Sequence, residues 1–201
     1  MSELITDKAG VKRCSWSAAA PEFISYHDQE WGFPSIDDYA LFEKLCLESF
    51  QSGLSWRTIL VKRENFRRAF DHFNFHTVAQ FNDQDVERLM SDASIVRNKR
   101  KITAVINNAQ KAIELKAEFG SLAHFLWSYR VTPPAGFTPQ SLTTSAESIA
   151  LSKALKKRGW QFLGPTTLYA FMQSMGFIND HVEGCITRQK VEDALNALII
   201  P

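Results

Sequence analysis

The sequence predicts an all-α protein, on three observations. Apolar residues recur at helical spacing in almost every segment, strand-like alternation is nearly absent, and the periodic stretches are bounded by helix caps and breakers. Leu41, Phe42, Leu45 and Glu48 lie on neighbouring turns of one helix, and Ile59, Phe66 and Phe70 mark the next. Asn82 caps a run carrying Val86, Leu89 and Met90. Ile102, Val105, Ile106, Ala109, Ala112, Ile113 and Phe119 trace one apolar stripe along the longest helix, which Gly120 ends; the stripe reads as core, not as a binding face. Residues 131–144, rich in Pro, Thr and Gly, break the pattern and read as a loop. From Ser145 a helix with Ile149, Leu151 and Leu155 ends in Lys156, Lys157 and Arg158. Gly159 and Gly164 bound a short turn, and Pro165 opens another helix, continued by Tyr169, Met172 and Gly176. Residues 145–176 thus have the outline of a helix-hairpin-helix. Val191, Leu195 and Leu198 predict a closing helix. No repeat is visible, and the whole reads as one globular unit of two helical lobes with a flexible start over residues 1–12.

At 201 residues with ordinary apolar and charged fractions, the chain can fill a core, which excludes a disordered protein. No basic-flanked apolar leader and no long uncharged apolar stretch occurs, so a cytoplasmic protein with no membrane partner is expected. Three cysteines fit a disulfide framework poorly. A net charge of +1 does not mark a nucleic-acid binder, but the basic residues cluster at Arg97, Lys99, Arg100, Lys101 and at Lys153, Lys156, Lys157, Arg158. A basic cluster taken alone is more often a solvated face. The second cluster, however, runs into the glycine turn. Glycines there let backbone N–H groups approach a phosphate, the following helix N-terminus favours an anion, and Lys156 and Lys157 add charge.

Cys14 with His27 near the start, and His181 with Cys185 near the finish, make a complete four-ligand set. Two thiolates and two imidazoles with no open position describe a structural zinc site tying the two ends together. Cys46 is left over in an apolar helix and reads as inert core. His72 and His76 also stand four apart, but Asn74 between them suggests a turn, and both read as surface residues.

Four stretches carry a resemblance. They are Arg13-Cys14-Ser15-Trp16, Tyr26-His27-Asp28-Gln29-Glu30-Trp31-Gly32, Glu48-Ser49-Phe50-Gln51-Ser52-Gly53-Leu54-Ser55-Trp56 and Asn179-Asp180-His181-Val182-Glu183-Gly184-Cys185. From about Arg13 to Cys185 the sequence resembles the 3-methyladenine DNA glycosylase I family. The resemblance implies a helix-hairpin-helix DNA glycosylase fold with the zinc clamp at those same four positions. It implies a base pocket formed by Trp16, Tyr26 and Trp56 with Glu48 as its recognition carboxylate, and DNA contacts at Lys156, Lys157, Gly159 and Gly164. The implied partner is duplex DNA with alkylated bases, handled by a monomer. Phe50 stands where some members carry a polar amide, so a more apolar pocket wall is expected. Trp31 reads as core.

The chemistry fits the residue types. An extruded base needs aromatic faces and polar groups on its edge, and a cationic methylated adenine is attracted by electron-rich rings and a buried carboxylate. Large aromatics are nonetheless mostly packing residues, and a solvated helix end before Gly53 is the plain alternative for Glu48. Asp180 lies where a catalytic aspartate follows such a hairpin, or it orients His181. No lysine occupies the hairpin turn, so hydrolysis without strand cleavage is expected. A zinc-stabilised module that binds lesions without chemistry is the competing reading; a catalytic zinc hydrolase is disfavoured by four protein ligands.

Overall fold

In this computed structural model, residues 3–133 and 136–201 are described. Met1 and Ser2, in the start read as flexible, and Pro134 and Ala135, in the loop over 131–144, lie outside the described residues. The rest of the start carries structure. Strand β1 (Leu4–Thr6) pairs antiparallel with β2 (Lys12–Cys14), Leu4 opposite Cys14. Between them Asp7 accepts from the N–H groups of Ala9 and Val11. Three-residue strands are too short to display alternation, which is why periodicity missed them.

A 3-10 turn over Ser15–Ala18 leads into α1 (Pro21–Gln29). Then come α2 (Asp38–Gln51), α3 (Trp56–Ala69), the short α4 (Phe75–Val78), α5 (Asp83–Ser91) and α6 (Lys99–Phe119). The chain continues through α7 (Leu122–Trp127), α8 (Ala146–Lys157), α9 (Pro165–Ser174) and α10 (Arg188–Ala197). The starts are set locally by side chains that accept orphan amide protons. Asp37 caps α2, Ser55 caps α3, Asn98 caps α6, and Asn82 and Ser145 form capping boxes at α5 and α8. His72 and His76 flank the Asn74 cap of α4 and are exposed, as expected from their setting.

The predicted stripe on α6 is buried at Ile102, Val105, Ala109 and Ala112. It packs with α2, whose Leu41, Phe42, Leu45 and Phe50 are buried too. α2 is the hub, meeting α3, α6, α7 and α9. The 32–34 segment presses on the end of α9 so closely that a Cβ on Gly176 would meet the Gly32 carbonyl at 2.5 Å. Only glycine fits there, at a φ of +74°. α10 closes the structure with Val191 and Leu195 buried. No helix among the described residues is long and apolar enough to cross a membrane.

Candidate active site and metal centre

β2 ends at Cys14, α1 carries His27, and the turn after α9 carries His181 and Cys185. Their ligand atoms all lie within 4.8 Å of one another and all four residues are buried. Cys14 Sγ is 3.7 Å from His181 Nδ1, and Cys185 Sγ is 3.6 Å from the same nitrogen and 3.4 Å from His27 Nε2. A tetrahedral ion bound at about 2.3 Å to sulfur and about 2.0–2.1 Å to nitrogen separates those ligands by about 3.6 Å, so the donor set fits one. The outer nitrogens are fixed as well. His27 Nδ1 meets Asp28 Oδ1 at 2.7 Å, and His181 Nε2 meets the Trp31 carbonyl at 2.9 Å, which turns the other nitrogen of each ring to the centre. Asp28 is itself gripped by Arg13. Burial pushes the Asp28 carboxyl up, but Arg13 and His27 outweigh it and hold the group below the usual carboxylate range.

The 3-10 turn that follows Cys14 delivers Trp16 to a cavity of about 300 Å³, so the ligand cluster and this aromatic wall share one segment. Tyr26 beside His27 and Trp56 at the start of α3 complete three sides. Trp16 meets Tyr26 edge-on, with ring centroids 6.3 Å apart, and the Tyr26 and Trp56 rings lie 5.5 Å apart. Glu48 on α2 reaches the same cavity although it is only 5% exposed. Burial pushes its carboxyl up to about 7 against the opposing pull of Lys44. The structure therefore brings together Trp16, Tyr26, Glu48 and Trp56, and Glu48 is not a solvated helix end.

Several neighbours were invisible to sequence reading. Trp31, read as core, lines the cavity with its ring 5.1 Å from Trp16. Gln51, not Phe50, lines the wall at the end of α2; Phe50 is buried against Phe66, 4.6 Å between centroids. Gln140 and Gln173 contribute from the loop before α8 and from α9. Lys44, one turn before Glu48, is 8% exposed; its Nζ donates to Tyr26 Oη at 3.1 Å and sits 4.9 Å from the centroids of both Tyr26 and Trp56. Burial pulls this ammonium down to about 8. A lysine within an apolar helical series is the one signal that could have found it.

Asp180 is not the group that orients the outer nitrogen of His181. It is fully buried, one carboxylate oxygen accepts from the Gln140 N–H and the other from Gln173 Nε2, and His181 finds its partner in Trp31. The α8–α9 corner leaves Lys156, Lys157, Gly159 and Gly164 exposed. Asn107 and Asn108 of α6 brace it, donating to the carbonyls of Gly159 and Gln161, and Asn108 also accepts from the Gln161 N–H. Gly164 leaves the start of α9 without a side-chain cap. Arg100 stacks over Phe162 at 5.6 Å, so the two basic clusters adjoin at this corner. Lys101 departs from its cluster: it is buried and donates to the carbonyls of Phe50 and Ser52, capping the end of α2.

A family model described as methyladenine glycosylase matches residues 16–189. The chain is 46% identical over 180 residues to DNA-3-methyladenine glycosylase 1 of Escherichia coli, covering 87% of this chain and 96% of that one. It is 42% identical over 177 residues to DNA-3-methyladenine glycosylase of Haemophilus influenzae, covering 86% and 96%. A crystal structure of 3-methyladenine DNA glycosylase I superposes with a TM-score of 0.82 at 43% identity, over 87% of this chain and 98% of that one. The Staphylococcus aureus enzyme, solved for the basis of its 3-methyladenine recognition, superposes at 0.80 with 36% identity, over 88% and 96%. The chain belongs to the methyladenine glycosylase family.

Proposed function

We propose that this protein is a DNA-3-methyladenine glycosylase, a monofunctional hydrolase of the N-glycosidic bond of 3-methyladenine in alkylated duplex DNA. The observation that carries the reading is the buried Glu48 carboxylate in the wall of an aromatic cavity with room for one base. The extruded base stacks among Trp16, Tyr26 and Trp56, and Glu48 accepts from its exocyclic amine while balancing its positive charge. The C1′–N9 bond breaks with its electron pair leaving on the base, whose charge is thereby neutralised. Water adds at C1′ and gives up a proton. Because the leaving group departs neutral, the site mainly has to hold the cation and stabilise charge developing on the sugar.

The α8–α9 corner acts as a helix-hairpin-helix, seating a backbone phosphate on Lys156, Lys157, Gly159, Gly164 and the open start of α9. Cys14, His27, His181 and Cys185 hold one zinc ion, which with four protein ligands supplies a structural tie and no reactive position. The test is incubation with methylated duplex DNA, with released bases resolved chromatographically and strand integrity followed. Free 3-methyladenine and unbroken strands bearing alkali-labile sites are expected. Retention of damaged DNA with no base released overturns the reading in favour of a lesion-binding module.

A further inference from the structure

Among the polar side chains of the cavity that this scheme leaves unused, two share a partner. Gln140 and Gln173 both line the cavity, one from the loop before α8 and one from α9. Both are tied to Asp180. Asp180 Oδ1 accepts from the Gln140 backbone N–H at 2.7 Å, its main-chain carbonyl accepts from Gln140 Nε2 at 3.1 Å, and its Oδ2 accepts from Gln173 Nε2 at 2.5 Å. Carboxylate and carbonyl oxygens only accept, so each glutamine can meet Asp180 only with its amide nitrogen. The amide is planar and its two ends diverge, so committing nitrogen to Asp180 turns Oε1 the other way. Among the described residues no protein donor meets either Oε1. Gln140 moreover sits at a φ of +60°, a left-handed conformation that a side chain rarely adopts, and its two bonds to Asp180 hold it there.

We infer that Asp180 is a positioning residue that turns the amide oxygens of Gln140 and Gln173 into the cavity, and that these fixed acceptors, with Glu48, select a methylated purine bearing an amine at C6 over one bearing a carbonyl at C6. The inference rests on the glycosylase reading above. An amine donates to such a wall. A carbonyl placed against it leaves oxygen facing oxygen with both unpaired, and sites built around a particular hydrogen bond discriminate strongly on that ground.

The test is Asp180→Asn, read as the ratio of 3-methyladenine to 3-methylguanine released from the same methylated DNA. The Gln140 N–H keeps the remaining carbonyl oxygen of the new amide, so its NH2 faces Gln173. Gln173 must then answer with Oε1, sending a donor into the cavity. The wild-type protein is expected to favour 3-methyladenine, and the variant to lose about tenfold of that preference, the equivalent of one good hydrogen bond. A ratio is insensitive to the active fraction, so partial unfolding does not mimic the effect. Should the variant fail to fold, Gln173→Leu removes one acceptor while leaving Asp180 in place, and a smaller fall in the same ratio is expected. Equal loss of both products, with the ratio unchanged in either variant, overturns the inference and leaves Asp180 a merely structural group. A wild-type protein that releases both bases equally overturns it too. No release of any base by the wild type is the separate failure of the glycosylase reading.

Discussion

Glu48 and Lys44 sit one helical turn apart, both buried, and each is unfavourable alone. The Glu48 carboxyl lies at about 7 in the folded protein, above its ordinary value of 4.5. A raised carboxyl pKa means that the unfolded chain ionises first as pH rises. The penalty is therefore absent below about 4.5, grows between there and 7, and is constant above. Glu48→Gln should match the wild type in melting at pH 4.5 and gain on the order of 3 kcal/mol by pH 8. The same change should weaken a permanently cationic ligand, an adenine methylated at N3 and N9, by about 1.5–3 kcal/mol. Lower melting with intact affinity would make Glu48 a structural ion-pair partner instead. Lys44 faces Tyr26 and Trp56, with Glu48, Glu30, Glu43 and Arg63 as its charged neighbours. Since its ammonium holds the Glu48 carboxyl down, Lys44→Met should move the pH midpoint of cation binding upward from about 7. An unmoved midpoint in titrations from pH 6 to 9 would show that the two groups are not coupled.

The α8–α9 corner, proposed above to seat a phosphate, is built from local and distant parts. Its lysines end α8, where cations also suit the helix dipole, and its turn is held from α6 by Asn107 and Asn108. The first amides of α9 stay open because Gly164 offers no side chain and Pro165 no proton. Lys157→Glu should weaken binding of undamaged duplex and flatten its dependence on salt, since fewer counterions are released, while affinity for free base is unchanged. Equal affinities for the two proteins at low and moderate salt would place the DNA elsewhere. Much of this corner was legible in sequence, because a basic helix end, two glycines and a proline are local signals. The bracing asparagines were not, since they lie on α6 more than fifty positions away. Lys101 misled for a related reason: charge clustering along a chain says nothing of which member turns inward to cap another helix.

Across the whole molecule, the residues read as pocket and ligands converge although they come from both ends of the chain, because β2, α1 and the turn after α9 meet around one cluster. The clustering of Cys14, His27, His181 and Cys185 was legible from their chemistry. The glutamines of the wall were not, because their orientation is set by a buried Asp180 that no spacing rule connects to residue 140. Cys14 and His181 stand 167 positions apart, so a shared ion would close nearly the entire chain into a loop. Such closure contributes chiefly by restricting the unfolded chain, on the order of 4–5 kcal/mol for a covalent link of this span. Ion ligation in small domains reaches about 10–16 kcal/mol, and the preformed helical core here should keep the effect toward the lower figure. Cys46 lies in the α2 core without metal partners, and Cys46→Ala should cost only about 1–2 kcal/mol of packing. Cys14→Ser should cost several kcal/mol and leave the protein without its zinc equivalent. The decisive comparison is a chelator titration followed by melting: the wild type and Cys46→Ala should both lose stability on chelation, whereas Cys14→Ser, already lacking the tie, should not. Metal analysis that finds no zinc in the reduced wild type, with melting indifferent to chelator, would mean that the four side chains pack against one another without an ion.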